Sequence, residues 1–171
     1  MNFLLTGGAG YIGSHAALCL LDAGHNVHII DDLSTGNESL VPKNAFFTKC
    51  NINNEEVISE LIKSNSFDLL MHFAGFIQVE ESVKYPQKYF DNNTENATKL
   101  FETCKNNGLN KIVFSSTAAA YGSVSENKLI DESTNLNPQN PYAESKIETE
   151  KFLFENKNNF KFIILRYLSL I

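Results

Sequence analysis

The sequence predicts a doubly wound α/β fold built on a parallel sheet, and three observations predict it. Short β-rich runs alternate with helical patterns through all 171 residues. Several of those runs are apolar on both faces, as strands buried between two layers of helices are. A glycine loop, Thr6-Gly-Gly-Ala-Gly-Tyr-Ile-Gly13, follows the first run directly.

The elements follow in chain order. Residues 3–6 form the first strand. Beyond the loop, Ile12, Ala16, Cys19, Leu20 and Ala23 recur at helical spacing and Gly24 supplies a stop, so with the run 27–31 they complete a βαβ unit. Runs at 45–48, 68–73, 112–116 and 160–165 add four strands. Helices are predicted over 55–64, over 93–105 with Ala97, Leu100, Phe101 and Cys104 on one stripe, and over 142–155. Residues 121–140, with Gly122 and Pro138, read as the longest irregular connection, and such loops are often functional.

Composition narrows the partners. A formal charge of −6 without a long basic run argues against a nucleic-acid surface, which needs clustered Lys and Arg, and points to a small molecule. Cys19, Cys50 and Cys104 are odd in number, far apart and outside any Cys-x-x-Cys spacing, so buried free thiols are expected rather than disulfides or zinc. His15, His25, His28 and His72 form no i, i+4 pair, so no metal is expected. No signal peptide is indicated, and the longest apolar runs fall short of the roughly 20 residues that span a bilayer, so a soluble cytoplasmic protein is expected.

The glycines allow more than one reading. Gly7, Gly10 and Gly13 fit G-x-x-G-x-x-G, while Gly8, Gly10 and Gly13 fit G-x-G-x-x-G. Strand before and helix after favour a pyrophosphate cradle over a bare tight turn. Asp31 ends the next strand, where a carboxylate can accept from an adenosine ribose. That favours NAD: no Lys or Arg precedes Lys43 to meet a 2′-phosphate, and Asp31, Asp32 and Glu38 would repel one. The bland alternative is a solvated turn.

Tyr142 and Lys146 stand four residues apart, on one helix face, where an ammonium can stabilise a phenolate and make tyrosine a base near neutral pH. Alone, the pair would be an ordinary surface feature. Thr117, at the expected carboxyl edge of the sheet, adds a hydroxyl that can hold a reacting oxygen.

With these residues in place, the sequence resembles the extended short-chain dehydrogenase/reductase family, and within it the UDP-glucose (UDP-galactose) 4-epimerases. The resemblance spans essentially the whole chain and rests on Thr6–His15, Asp31–Gly36, His72-Phe-Ala-Gly75, Glu81-Ser82, Tyr89–Asn93, Phe114-Ser-Ser-Thr117, Tyr121-Gly122, Pro141-Tyr142, Ser145-Lys146 and Leu165-Arg-Tyr167. It implies that residues 1–171 are a Rossmann-type NAD-binding domain and that a carboxyl-terminal sugar-nucleotide domain is absent from this chain. By position it implies that Gly7, Gly10, Tyr11, Ile12 and Gly13 cradle the pyrophosphate, that Asp31, Asp32, Thr35 and Gly36 hold the adenosine, and that Asn51 and Ile52 flank the adenine. Phe73, Ala74, Gly75 and Asn92 would line the cofactor path, with Tyr167 near the nicotinamide. Thr117, Tyr142 and Lys146 would be the catalytic group, with Thr117 and Tyr142 also touching substrate.

Three positions depart from the family pattern. Asn51 stands where Asp is usual, which implies a weakened adenine contact, Ile77 stands where many members have Lys, and Leu168-Ser169 where Phe-Asn typically follows Arg-Tyr. The implied reaction is epimerisation at C4 of a UDP-hexose by transient oxidation. Ala118, Ala119 and Ala120 follow Thr117 where related dehydratases carry an Asp-Glu pair, which fits simple inversion without a further acid or base. The alternatives are a UDP-N-acetylglucosamine or UDP-glucuronate 4-epimerase, or an NAD-binding chain that turns over nothing. The resemblance also implies a homodimer through the helices near 93–105 and 142–155.

Overall fold

Six parallel strands form one sheet in the order β3-β2-β1-β4-β5-β6, where β1 is Asn2–Thr6, β2 Asn26–Asp31, β3 Phe46–Lys49, β4 Leu69–His72, β5 Lys111–Thr117 and β6 Lys161–Tyr167. The computed structural model describes residues 1–123 and 129–167. Every strand predicted from the sequence is present. The last two run further than their apolar cores, because Thr117 and Tyr167 still pair across the ladder.

Helices lie on both faces, as the two-sided strands require. On one face Leu4, Ile30, Leu70, Ile112 and Phe114 pack against α2 (Glu55–Ser64), α5 (Ala97–Asn106) and α6 (Pro141–Glu155), through Ile58 and Ile62, Leu100, Phe101 and Cys104, and Leu153. On the other face α1 (Tyr11–Asp22) covers Phe3, Leu5, Val27 and Ile29, with Ala17 at the contact. The register carries this second apolar row onward from Leu5 to Met71, Val113 and Ile163. Among the described residues no helix covers its far end, and Ile163 is 60% exposed.

Caps explain where the helices start. The Asn54 side chain accepts from Val57 N at the head of α2, where Glu55 and Glu56 also meet the positive helix end. Asn140 does the same for α6 through Ala143 N, with Pro141 as the first helical residue. Neither device exists at α1, whose N-cap is Gly10 and whose first turn holds no acidic residue.

Two expectations need correction. Cys50 and Cys104 are buried, but Cys19 is exposed, because it lies on the outer face of α1 while Ala17 turns inward. The helix expected over 93–105 is a composite: α3 (Val79–Lys84) and α4 (Pro86–Tyr89) lead into a π-helical stretch, Phe90–Asn96, before α5 begins. Extra residues of that kind inside a helix concentrate at functional sites. No helix of the described residues is long and apolar enough to cross a membrane.

Candidate functional site

The chain reverses its direction of travel across the sheet between β1 and β4, and in open α/β sheets ligands bind at such a switch point. There the loops after the two strands touch. Gly7 has φ +72°, and a Cβ on it would sit 2.4 Å from Ala74 N; one on Gly13 would sit 2.2 Å from Gly7 O. Only glycine fits either position, and the result is a bare backbone rim beside Phe73, Ala74 and Gly75. Because Gly10 offers no side-chain cap, the first-turn N–H groups of α1, at Tyr11, Ile12 and Gly13, remain for an anion. The Tyr11 side chain is exposed and packs on His15.

At the end of β2 two carboxylates shape the next part of the crevice. Asp31 is buried and accepts from Ala9 N at 3.0 Å and Leu33 N at 2.9 Å, which ties it to the glycine loop. Each oxygen keeps a lone pair for a further donor. Asn37 N closes the 34–37 turn onto Ala9 O, and a Cβ on Gly36 would meet Asp31 Oδ1 at 2.8 Å. Leu33 has φ 62°, a left-handed backbone rare for leucine. Asp32 accepts from Ser34 N at 2.9 Å and from Asn51 Nδ2 at 2.6 Å. Burial alone would raise the Asp32 carboxyl, but these bonds hold it below the ordinary value. Thr35 is exposed, while the Ile52 side chain belongs to the core and leaves only its backbone toward a ligand.

The expected proton-transfer residues assemble at the carboxyl ends of β5 and β6. Thr117 is buried and lies opposite Tyr167 in the ladder. Lys146 is 3% exposed, donates from Nζ to Ser115 O at 3.1 Å and stands 5.0 Å above the Phe114 ring. It has no carboxylate partner among the described residues, and burial lowers its pKa to about 8. Burial pushes the Tyr142 phenol above its ordinary value, with the Thr117 hydroxyl opposing. Tyr167 is raised by burial too. A Cβ on Gly75 would lie 3.1 Å from Lys146 Nζ, so the rim after β4 reaches the buried ammonium. The glycine loop, the carboxylates of β2 and the Tyr-Lys helix thus border one crevice.

Residues 3–171 match the NAD dependent epimerase/dehydratase family. The chain belongs to that family. It is 41% identical over 171 residues to the UDP-glucose 4-epimerase of Lacticaseibacillus casei, covering 99% of this chain and 51% of that protein. Among solved structures it superposes with TM-score 0.92 on the Thermus thermophilus UDP-glucose 4-epimerase complex with NAD, at 35% identity, over 98% of this chain and 55% of the other. The UDP-Glc/GlcNAc 4-epimerase of Campylobacter jejuni gives TM-score 0.90 at 38% identity, over 98% of this chain and 53% of the other. The chain therefore spans about half the length of the relatives it matches.

Asn51 spends its amide internally, with Nδ2 on Asp32 and Oδ1 accepting from Asn53 N at 3.0 Å. Ile77 is 71% exposed and makes no polar tie to the crevice. Leu168 and Ser169 lie outside the described residues.

The site also contains a residue to which sequence reasoning assigns no role. The resemblance places Asn92 along the cofactor path, and among the described residues its amide donates to the neighbouring Asn93 Oδ1. Asn93 itself is buried; it accepts from Phe76 N at 2.9 Å and donates to Phe76 O and the Ser145 hydroxyl. It joins the loop after β4 to the helix carrying Tyr142 and Lys146. Asparagine is common throughout this sequence, so nothing local separates Asn93 from its neighbours.

Proposed function

We propose that this chain supplies the cofactor-binding and proton-transfer residues of a UDP-hexose 4-epimerase that interconverts UDP-glucose and UDP-galactose through transient oxidation at C4. The observation that carries it is the convergence of Thr117, Tyr142 and buried Lys146, which has no carboxylate partner among the described residues, beside a side-chain-free rim that fits a pyrophosphate. The cradle also fits NAD rather than NADP, since Asp31 and Asp32 present carboxylates where a 2′-phosphate would have to lie. Gly7, Gly10 and Gly13 with the head of α1 would hold the pyrophosphate, and Asp31 the adenosine ribose. NAD, when bound, supplies the acceptor and then the donor of the two electrons taken from C4, so no net redox change results.

The chain's own residues do the proton work. Tyr142 removes the proton of the sugar 4-hydroxyl and returns it after the keto sugar has turned. Tyrosine has a reference pKa of about 10 and burial raises it here, so the phenolate depends on a cation. Lys146, buried and without a carboxylate partner among the described residues, is that cation. The Thr117 hydroxyl orients the reacting oxygen. Ala118, Ala119 and Ala120 add no second acid or base, which supports return of the sugar unchanged except at C4. A homodimer through α5 and α6, working in the cytoplasm, completes the proposal.

The test is conversion of UDP-galactose by the natural polypeptide, with the cofactor released and identified and Tyr142→Phe run beside it. Inversion without accumulated NADH, lost in Tyr142→Phe, is the expected result. Bound NAD without inversion moves the function to another sugar nucleotide or to binding alone. The Campylobacter jejuni relative favours UDP-N-acetylglucosamine as the second substrate to assay.

A further inference from the structure

Glu150 is 2% exposed and carries its carboxylate into the interface between α6 and the sheet. Its Oε1 accepts from Arg166 Nε at 3.0 Å and from the Ser116 hydroxyl, and its Oε2 accepts from Arg166 Nη2 at 2.5 Å. This is the two-pronged guanidinium to carboxylate pairing, which fixes direction as well as distance. The remaining arm of Arg166, Nη1, donates to the Tyr121 hydroxyl at 2.9 Å, with the guanidinium 5.1 Å from the Tyr121 ring. Four elements meet here: Ser116 on β5, Tyr121 in the 3₁₀ turn that follows Thr117, Glu150 on α6 and Arg166 on β6.

None of the four belongs to the proton-transfer group, yet each lies on, or in the turn directly after, an element that carries one of its members or Tyr167. Ser116 precedes Thr117, and Arg166 precedes Tyr167. Glu150 follows Lys146 by four residues and Tyr142 by eight, so one stripe of α6 carries all three. A buried ion pair is weak evidence for stability, because desolvation offsets much of its attraction and well-packed apolar residues often serve as well. It supplies what apolar packing does not, a fixed register. Sliding α6 along β5 would break the bonds to Ser116 and Arg166 together. The other polar ties between α6 and β5, Lys146 Nζ to Ser115 O and the Thr117 hydroxyl to the Tyr142 phenol, are made by the proton-transfer residues themselves and are no fixed anchors. The pair is neutral as a unit, so it holds the helix without offsetting the charge of Lys146.

The geometry points to Arg166 and Glu150 as positioning residues that set the register of α6 on β5 and β6, so that Tyr142 and Lys146 face Thr117. As a statement about catalysis it rests on the epimerase reading; as a statement about Tyr142 it does not.

The experiment uses the natural polypeptide carrying Glu150→Leu and Arg166→Met together, which replaces the pair by apolar side chains. Arg166→Lys, which keeps the charge but cannot make the two-pronged bond, is the conservative comparison. The expected result is a double variant that keeps NAD affinity and loses only the melting temperature that the Ser116 hydroxyl costs without its acceptor, with kcat for UDP-galactose about 100-fold lower and KM little changed, as a misplacement of the order of 1 Å produces. The Lys variant should recover only part of that loss. A double variant with unchanged kcat overturns the inference, as does a kcat that falls only in step with melting temperature and NAD binding. If the wild-type protein inverts no sugar nucleotide, the epimerase reading fails separately. The register is then read from the ionisation of Tyr142 in NAD-loaded protein with 13Cζ-labelled tyrosine, assigned with Tyr142→Phe. An upward shift of its midpoint in the double variant supports the inference, and an unmoved midpoint overturns it.

Discussion

The Asn93 amide donates to the Ser145 hydroxyl at 3.2 Å, a buried bond between residues 52 positions apart. Through the same side chain, Asn93 satisfies both the N–H and the carbonyl of Phe76, much as a neighbouring strand would. The bond exists because the π-helical stretch Phe90–Asn96 brings Asn93 inward while the Thr94 hydroxyl and the Asn93 carbonyl also engage α6, at Ser145 O and Thr149 Oγ1. The wall of the crevice and the helix that carries Tyr142 are thereby one hydrogen-bonded unit.

Asn93→Ala removes both partners of the Phe76 backbone at once. A loss of about 2 kcal/mol in unfolding free energy is expected, since buried donors and acceptors are left unpaired. Asn93→Asp should not rescue it, because a carboxylate accepts from Phe76 N but cannot donate to Phe76 O or Ser145. Chemical denaturation of the three proteins decides. An Ala variant as stable as wild type would mean that water replaces the amide fully.

How much of this is legible in the sequence depends on the range of each interaction. The strands are legible because residues such as Leu4, Leu5, Ile29 and Ile30 are apolar on both faces, and the glycine loop because strand and helix flank it. The short helices α3 and α4 are not, since they are brief and mostly polar, and a π-helical insertion has no sequence period to detect. Tyr142 and Lys146 stand out as an i, i+4 pair. Glu150 continues that stripe, but its meaning lies in Arg166, on another element. By family pattern Asn51 reads as a weakened adenine contact; in the structure its amide donates to Asp32, a partner 19 positions back that no local pattern marks.

That Asp32 contact gives the second prediction. Asn51→Asp places a second carboxylate where a donor now lies 2.6 Å from Asp32 Oδ2. Like charges raise each other's folded-state pKa, so the penalty is present above the ordinary carboxylate range and vanishes as both groups protonate. The variant should lose about 1 kcal/mol at neutral pH and nothing below about pH 3. Melting curves at both values measure it; an equal loss at both would show that the amide's shape, not its charge, matters.

Lys146 gives the third. Its folded pKa of about 8 lies below the ordinary 10.5 through burial. Below the folded value the lysine is charged in both states, and folding bears the cost of burying it. Between the two values the unfolded chain holds more protons, so stability rises with pH. Lys146→Met should therefore abolish turnover yet raise stability at neutral pH by up to roughly 3 kcal/mol, a gain that shrinks toward about pH 10. Denaturation of protein free of NAD at the two pH values checks it, and a destabilised Met variant would show that Ser115 O compensates the cation fully.

His72 gives the last, and its titration sets a stability slope on the acid side. The ring is buried at the end of β4, bonded through Nδ1 to the Thr6 hydroxyl at 2.6 Å and stacked on Phe114, while Nε2 has no partner among the described residues. Burial first, and the Lys146 charge second, lower its pKa to about 3. Above the ordinary value of 6.5 it is neutral in both states. As pH falls below that, the unfolded chain takes up a proton that the folded chain refuses, and stability drops by about 1.4 kcal/mol per pH unit. His72→Leu keeps the apolar contacts and removes the titration. Whatever it costs at neutral pH through the lost Thr6 bond, its disadvantage should shrink by about 3 kcal/mol on going to about pH 4.5. Parallel denaturation curves for wild type and variant would instead mean that His72 accepts a proton in the folded protein, through movement of the Lys146 ammonium away from it.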